Sequence, residues 1–177
     1  MLDMGFGGQV RTIMGNVRPD RQTVMFSATF GRRVAEIAGD LLNQGAVRIN
    51  VGTSGASSVH VAQHVMVLHD RDAKVAWTAA MLPALSAAGK TIVFVASRLD
   101  CEAVADVMRK TGNVRVDAIH GDRHQHDRNA ALRAFKTGRV ACLVATDVAA
   151  RGLDVDDVAT VVNFDPAKNL DQHVHRV

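Results

Sequence analysis

Apolar and polar positions follow two periods along this chain, and the switches between them mark out the elements. Val10, Ile13, Met14 and Val17 stand at i, i+3, i+4 and i+7, one face of a helix, and Val34, Ile37, Ala38 and Leu41 repeat that spacing. Short apolar runs at 22–26 and 46–51 predict strands. After residue 60 the two periods return. Strands are predicted at 65–68, 91–96, 115–119, 140–145 and 160–164. Helices are predicted at 73–88, from a capping box at Ser97–Asp100 to a stop at Gly112, and at 124–136 with Gly138 behind it. Pro83 is expected to kink or divide the first of these. Strands alternating with helices at this spacing imply an α/β fold around a parallel sheet.

The pattern is broken once. Gly52-Thr53-Ser54-Gly55-Ala56-Ser57-Ser58 is small, polar and aperiodic, as expected of a flexible linker, a surface loop inside one domain being the alternative. The expected division is 1–51, a linker at 52–61, and 62–177.

Composition changes this picture little. A chain of 177 residues, 47% hydrophobic and 22% charged, suits one domain with a sizeable core plus a smaller piece. No apolar run approaches the ~20 residues that span a bilayer, so no membrane association is expected. A net charge of +3 permits polyanion binding without arguing for it. Cys101 and Cys142 read as small core hydrophobes, not a disulfide or metal pair. His120, His124 and His126 have no matched ligand set elsewhere, so no metal is expected. Trp77 reads as packing, and 4% aromatics with no tyrosine disfavour base-stacking platforms.

The chemistry gathers behind the strands. In open α/β sheets ligands bind beyond the carboxyl ends of the strands. There this chain places Ser27-Ala28-Thr29, Ser97-Arg98, His120-Gly121-Asp122 and Thr146-Asp147. Hydroxyls and free N–H groups at helix starts suit phosphate oxygens, although helix capping selects the same residue types. Recurrence on one rim favours binding. Arg128 shares a helical face with Ala131, Leu132 and Phe135, and Gln125 lies one turn earlier, so both are expected to point into an interface; an arginine stem with its head in water is the alternative. In the loop Arg151-Gly152-Leu153-Asp154, Gly152 permits close backbone approach and Asp154 can accept bonds from ribose hydroxyls.

Taken in order, these segments resemble the motifs of DEAD-box RNA helicases. Met1–Phe6 resembles the stretch after the Asp-Glu-Ala-Asp box, Ser27-Ala28-Thr29 motif III, and Ile92–Val95 with Ser97-Arg98 motif IV. His120-Gly121-Asp122 with Gln125 and Arg128 resembles the following RNA-binding and Gln-x-x-Arg motifs. Ala145–Asp154 resembles motif V closely, and His173–Val177, with His175-Arg176, the start of motif VI.

The resemblance implies the tail of a first RecA-like domain followed by a second one, a parallel sheet flanked by helices, with 52–58 as the hinge. It implies that Ser97, Arg98, Gly121, Asp122, Gln125, Arg128 and Thr146 hold the RNA backbone, that Gly152 and Asp154 meet the ATP ribose, and that Ser27, Ala28, Thr29, Asp147 and His175 couple ATP state to RNA binding. ATP and Mg²⁺ are the implied cofactors of the parent protein, and RNA its partner. A monomer, working in the cytoplasm or nucleus with unknown regulatory proteins, is expected. The Walker loop, the acidic box and the arginine fingers fall outside these residues, so the chain alone is expected to hydrolyse no ATP and its first ~50 residues to be poorly stable. A non-catalytic RNA-binding RecA-like module is the competing reading, and a DNA-acting relative a third.

Overall fold

The computed structural model describes residues 5–27, 30–51, 60–111, 113–150 and 155–176. The chain divides into two units, Met1–Ser57 and Ser58–Val177.

The first unit contains helices α1 (Gly7–Gly15) and α2 (Arg32–Leu41). They are joined by the ion pair of Arg11 with Asp40, at 2.8 Å, and Ile37 and Ala38 are buried. The strands expected at 22–26 and 46–51 are not formed. Phe26 is 93% exposed and Val51 95%, and neither segment has a ladder partner among the described residues. Strand-like alternation describes a side-chain pattern, but a strand exists only when a neighbour takes up its backbone bonds.

The second unit holds the sheet. Its elements are α3 (Arg71–Ala88), β1 (Lys90–Val95), α4 (Arg98–Thr111), β2 (Val116–Ile119), α5 (Gln125–Lys136), β3 (Cys142–Thr146), α6 (Asp147–Ala150), β4 (Val158–Asn163) and α7 (Leu170–Arg176). Asp70 caps α3, accepting a bond from the Ala73 N–H at 2.7 Å. Pro83 sits inside α3 on an exposed position and does not divide it. The strand expected at 65–68 is absent for the same reason as the two before it: Val65 and Val67 point to solvent and the segment pairs with nothing described.

All pairings are parallel, in the order β2-β3-β1-β4. Val93 of β1 stands opposite Val144 on one side and Val162 on the other. Alternation along each strand then builds two cores. Val93, Val95 and Val144 face α3 and α4, packing with Leu82, Val104 and Met108. Ile92, Phe94, Leu143 and Ala145 face the other way, toward Phe135 of α5 and Ala149 of α6. A sheet covered on both faces explains why β1 and β3 are continuously apolar. Cys101 and Cys142 are buried free thiols; burial pushes them up to about 11 and about 12 respectively, so both are inert packing groups at neutral pH.

Among the described residues, no helix is long and apolar enough to cross a membrane.

Candidate functional site

Parallel strands bring their carboxyl ends to one edge, so residues far apart in sequence meet there. Four segments form this rim: Ala96–Arg98 after β1, His120–Arg123 after β2, Thr146-Asp147 at the end of β3, and Asn163–Asp165 at the end of β4.

Behind β1, Ser97 caps α4. Its Oγ accepts the Asp100 N–H at 3.1 Å and donates its own proton to Asp100 Oδ2 at 2.6 Å. The Ser97 hydroxyl bond, with the Arg71 guanidinium beside it, holds the Asp100 carboxyl below its ordinary value. In this structure the hydroxyl proton goes to the Asp100 carboxylate while the oxygen caps the helix. Arg98 opens the helix and is ion-paired with Asp122, both side chains being well exposed.

Behind β2 lies the turn carrying Gly121 and Asp122. A Cβ at Gly121 would meet nothing within 4 Å, so the rim is open at this point. His120 is 8% exposed and its Nε2 donates to Glu102 Oε1 at 2.9 Å, while its buried Nδ1 has no partner among the described residues. Burial works to raise the Glu102 carboxyl, but the bonds and charges of His120 and Arg123 outweigh it and the net direction is down. One turn into α5, Arg128 donates to Gln125 Oε1 at 3.0 Å and its Nε is buried without a partner among the described residues. Gln125 itself is exposed, bonded along its own helix to Asn129 at 2.9 Å. Gln125 thus lies in the open at the first turn of α5, while Arg128, bonded to it, is half-buried.

Behind β3, Thr146 is buried and Asp147 starts α6. Asp147 holds Arg176 through two bonds, at 2.6 and 2.8 Å. The Arg176 guanidinium also donates to Asn163 Oδ1 at 2.9 Å and to the Asp165 carbonyl at 2.7 Å, and lies 4.8 Å from the Phe94 ring centre. Asp165 Oδ2 in turn accepts the Ala96 N–H at 2.8 Å. One buried arginine thus ties α7, α6, β4 and the end of β1 together. His175, its neighbour, is exposed. Ser27 is exposed in the first unit. Ala28, Thr29, Gly152 and Asp154 lie outside the described residues, as do residues 52–59 of the expected linker.

Sequence reading missed Glu102, Arg123, Asn163 and Asp165. Asn163 and Asp165 stand behind a strand like the others. Glu102 was also open to detection, since it is four residues from Arg98 on the same helical face. Gly89-Lys90-Thr91 matches the end of a phosphate loop in type only. Such a loop runs from strand to helix, whereas here a helix leads into a strand, Thr91 is buried in β1 and Lys90 Nζ donates to the Asp156 carbonyl at 3.0 Å. No group of three His, Cys, Asp or Glu side chains placed to hold a metal ion occurs among the described residues.

A parallel sheet covered on both faces, with polar residues collected at its carboxyl rim, defines a RecA-like domain. Residues 73–177 match the family described as Helicase conserved C-terminal domain. The chain is 41% identical over 177 residues to DEAD-box ATP-dependent RNA helicase 24 of Oryza sativa subsp. japonica, covering 100% of this chain and 23% of that protein. It is 40% identical to human ATP-dependent RNA helicase DDX42, covering 100% of this chain and 19% of that one. Among solved structures, that of S. cerevisiae Dbp5 bound to RNA and ADP BeF3 superposes with a TM-score of 0.83 at 26% identity, over 97% of this chain and 45% of Dbp5. The chain belongs to the DEAD-box RNA helicase family. It spans about a fifth of the length of these curated relatives.

Proposed function

We propose that this chain is the RNA-gripping and coupling segment of an ATP-dependent RNA helicase: the end of a first RecA-like domain (1–51), a linker (52–61) and most of a second (62–177). The observation that carries this reading is the open turn at Gly121, with Arg98 paired to its Asp122, together with the half-buried, incompletely satisfied Arg128 of α5. An open backbone turn with guanidinium groups on the same rim suits a sugar-phosphate chain, held by position and charge without reading of the bases. Gly121, Asp122, Gln125, Arg128 and Thr146 line the grip. Arg98 joins them when a phosphate replaces Asp122 as its partner, and Ser97 supports them by capping α4.

Gly152 and Asp154 are the positions at which an ATP ribose would be held, and bound ATP with Mg²⁺ would supply the free energy of hydrolysis. RNA and nucleotide each favour domain closure, so each strengthens binding of the other; closure strains a short duplex and hydrolysis reopens the cleft. Ser27, Ala28, Thr29, Asp147 and His175 are the coupling residues of this scheme. S. cerevisiae Dbp5, whose fold is similar, has been solved bound to RNA and ADP BeF3.

The test is RNA affinity as a function of salt. Arg128→Ala in the longer helicase is expected to cost about 1–3 kcal/mol of RNA binding, similarly for unrelated sequences, and to reduce the salt slope by about 1. Sequence-dependent loss, or an unchanged salt slope, would count against a backbone grip.

A further inference from the structure

The turn that offers Gly121 and Asp122 is four residues long, and it is not held by its own backbone alone. One backbone bond closes it, from the Arg123 N–H to the His120 carbonyl at 3.3 Å. Its two end residues then reach back to the same atom. His120 Nε2 donates to Glu102 Oε1 at 2.9 Å, and Arg123 Nε donates to Glu102 Oε1 at 2.9 Å. Arg123 is further fastened to β2, to Asp117 Oδ1 at 2.8 Å and to the Ala118 carbonyl at 2.6 Å. Glu102 and Arg98 are one helical turn apart on α4, and Arg98 pairs with Asp122 in the middle of the same turn.

We infer that Glu102 is the positioning residue of this RNA-contact turn: one carboxylate oxygen clamps both ends of it against α4, so that Gly121 and Asp122 are presented toward the rim. The inference rests on the reading of the rim as an RNA grip. Glu102 touches no RNA in this scheme and acts through His120 and Arg123.

The chemistry fits the role. With a carboxylate as acceptor, the proton of His120 is fixed on Nε2, and the ring is fixed with it. His120 is nearly buried, so its orientation dictates where the following glycine begins. The Arg123 guanidinium, planar and multiply bonded, sets the other end. A free turn of four residues would have to be ordered by RNA on binding, at a cost in affinity; a turn clamped beforehand does not carry that cost.

The experiment uses the longer helicase and measures RNA-stimulated ATP turnover against RNA concentration, with thermal unfolding of each variant alongside. Glu102→Ala is expected to raise the KM for RNA by about 5–20-fold while kcat at saturating RNA stays within about twofold. Glu102→Gln, whose amide oxygen accepts both bonds, is expected within about threefold of wild type in KM. An unchanged KM in Glu102→Ala overturns the proposal, and so does a loss confined to kcat or to thermal stability. If Glu102→Ala does not fold, Arg123→Met takes its place, and an unchanged KM there overturns the proposal equally. A wild-type protein that RNA does not stimulate sinks the RNA reading and the proposal with it. That result is separable from the others because it appears before any variant is compared.

Discussion

Arg176 shows how much one side chain can organise. Its side chain is 2% exposed, and its guanidinium is taken up by the Asp147 carboxylate, the Asn163 amide, the Asp165 carbonyl and the face of Phe94. A buried charge is tolerated only when its donors are met, and removing one partner strands the other. Arg176→Ala is therefore expected to destabilise the second unit by about 3–5 kcal/mol, read by denaturant unfolding. A loss under about 1 kcal/mol would place the guanidinium in water and contradict the geometry. The pairing also gives Asp147 a partner within its own unit, so any part it has in coupling is exercised with Arg176 already attached. The adjacent His175, exposed, is the one left to face outward.

At the scale of elements, the junction between α3 and β1 is the tightest. Gly89 has φ +148° and ψ −170°, and a Cβ there would stand 2.7 Å from the Cβ of Ala159 in β4. That backbone conformation is all but reserved for glycine, and the close approach lets β4 lie against the start of β1. Gly89→Ala is expected to cost about 1–3 kcal/mol from backbone strain, with more from the contact, measured as a lowered unfolding midpoint. A neutral result would mean that the turn relaxes elsewhere. The same scale separates what periodicity can and cannot predict. Helices α1, α2 and α5 were legible because a helix closes its own hydrogen bonds, so its apolar face alone announces it. The segments at 22–26, 46–51 and 65–68 carry strand-like side chains, but whether a strand forms is decided by a neighbour.

For the molecule as a whole, the two units contribute differently. The second has a sheet with a core on each face, and the first has two short helices with few buried residues. The residues of the proposed grip all lie in the second. Gly89-Lys90-Thr91 cannot serve as a triphosphate cradle, since it lies on a helix-to-strand turn with Thr91 inside the sheet. This chain by itself is expected to show no RNA-stimulated ATP hydrolysis above background in a phosphate-release assay. Turnover that rises with RNA would overturn this.

The alternation of apolar runs determined the parallel α/β architecture and the rim on which small polar residues gather, and the ordered motifs, by resemblance, the family. These are local patterns, and a pattern of 2 or 3.6 residues can be read in one dimension. Tertiary structure alone decided that Gln125 stays in the open, that Arg176 is locked to Asp147, and that Glu102 joins both ends of the Gly121 turn. The contacts of Glu102 with that turn and of Arg176 with Asp147 join atoms 18 to 29 residues apart in the chain. That is set by strand order and helix packing, which no local period records.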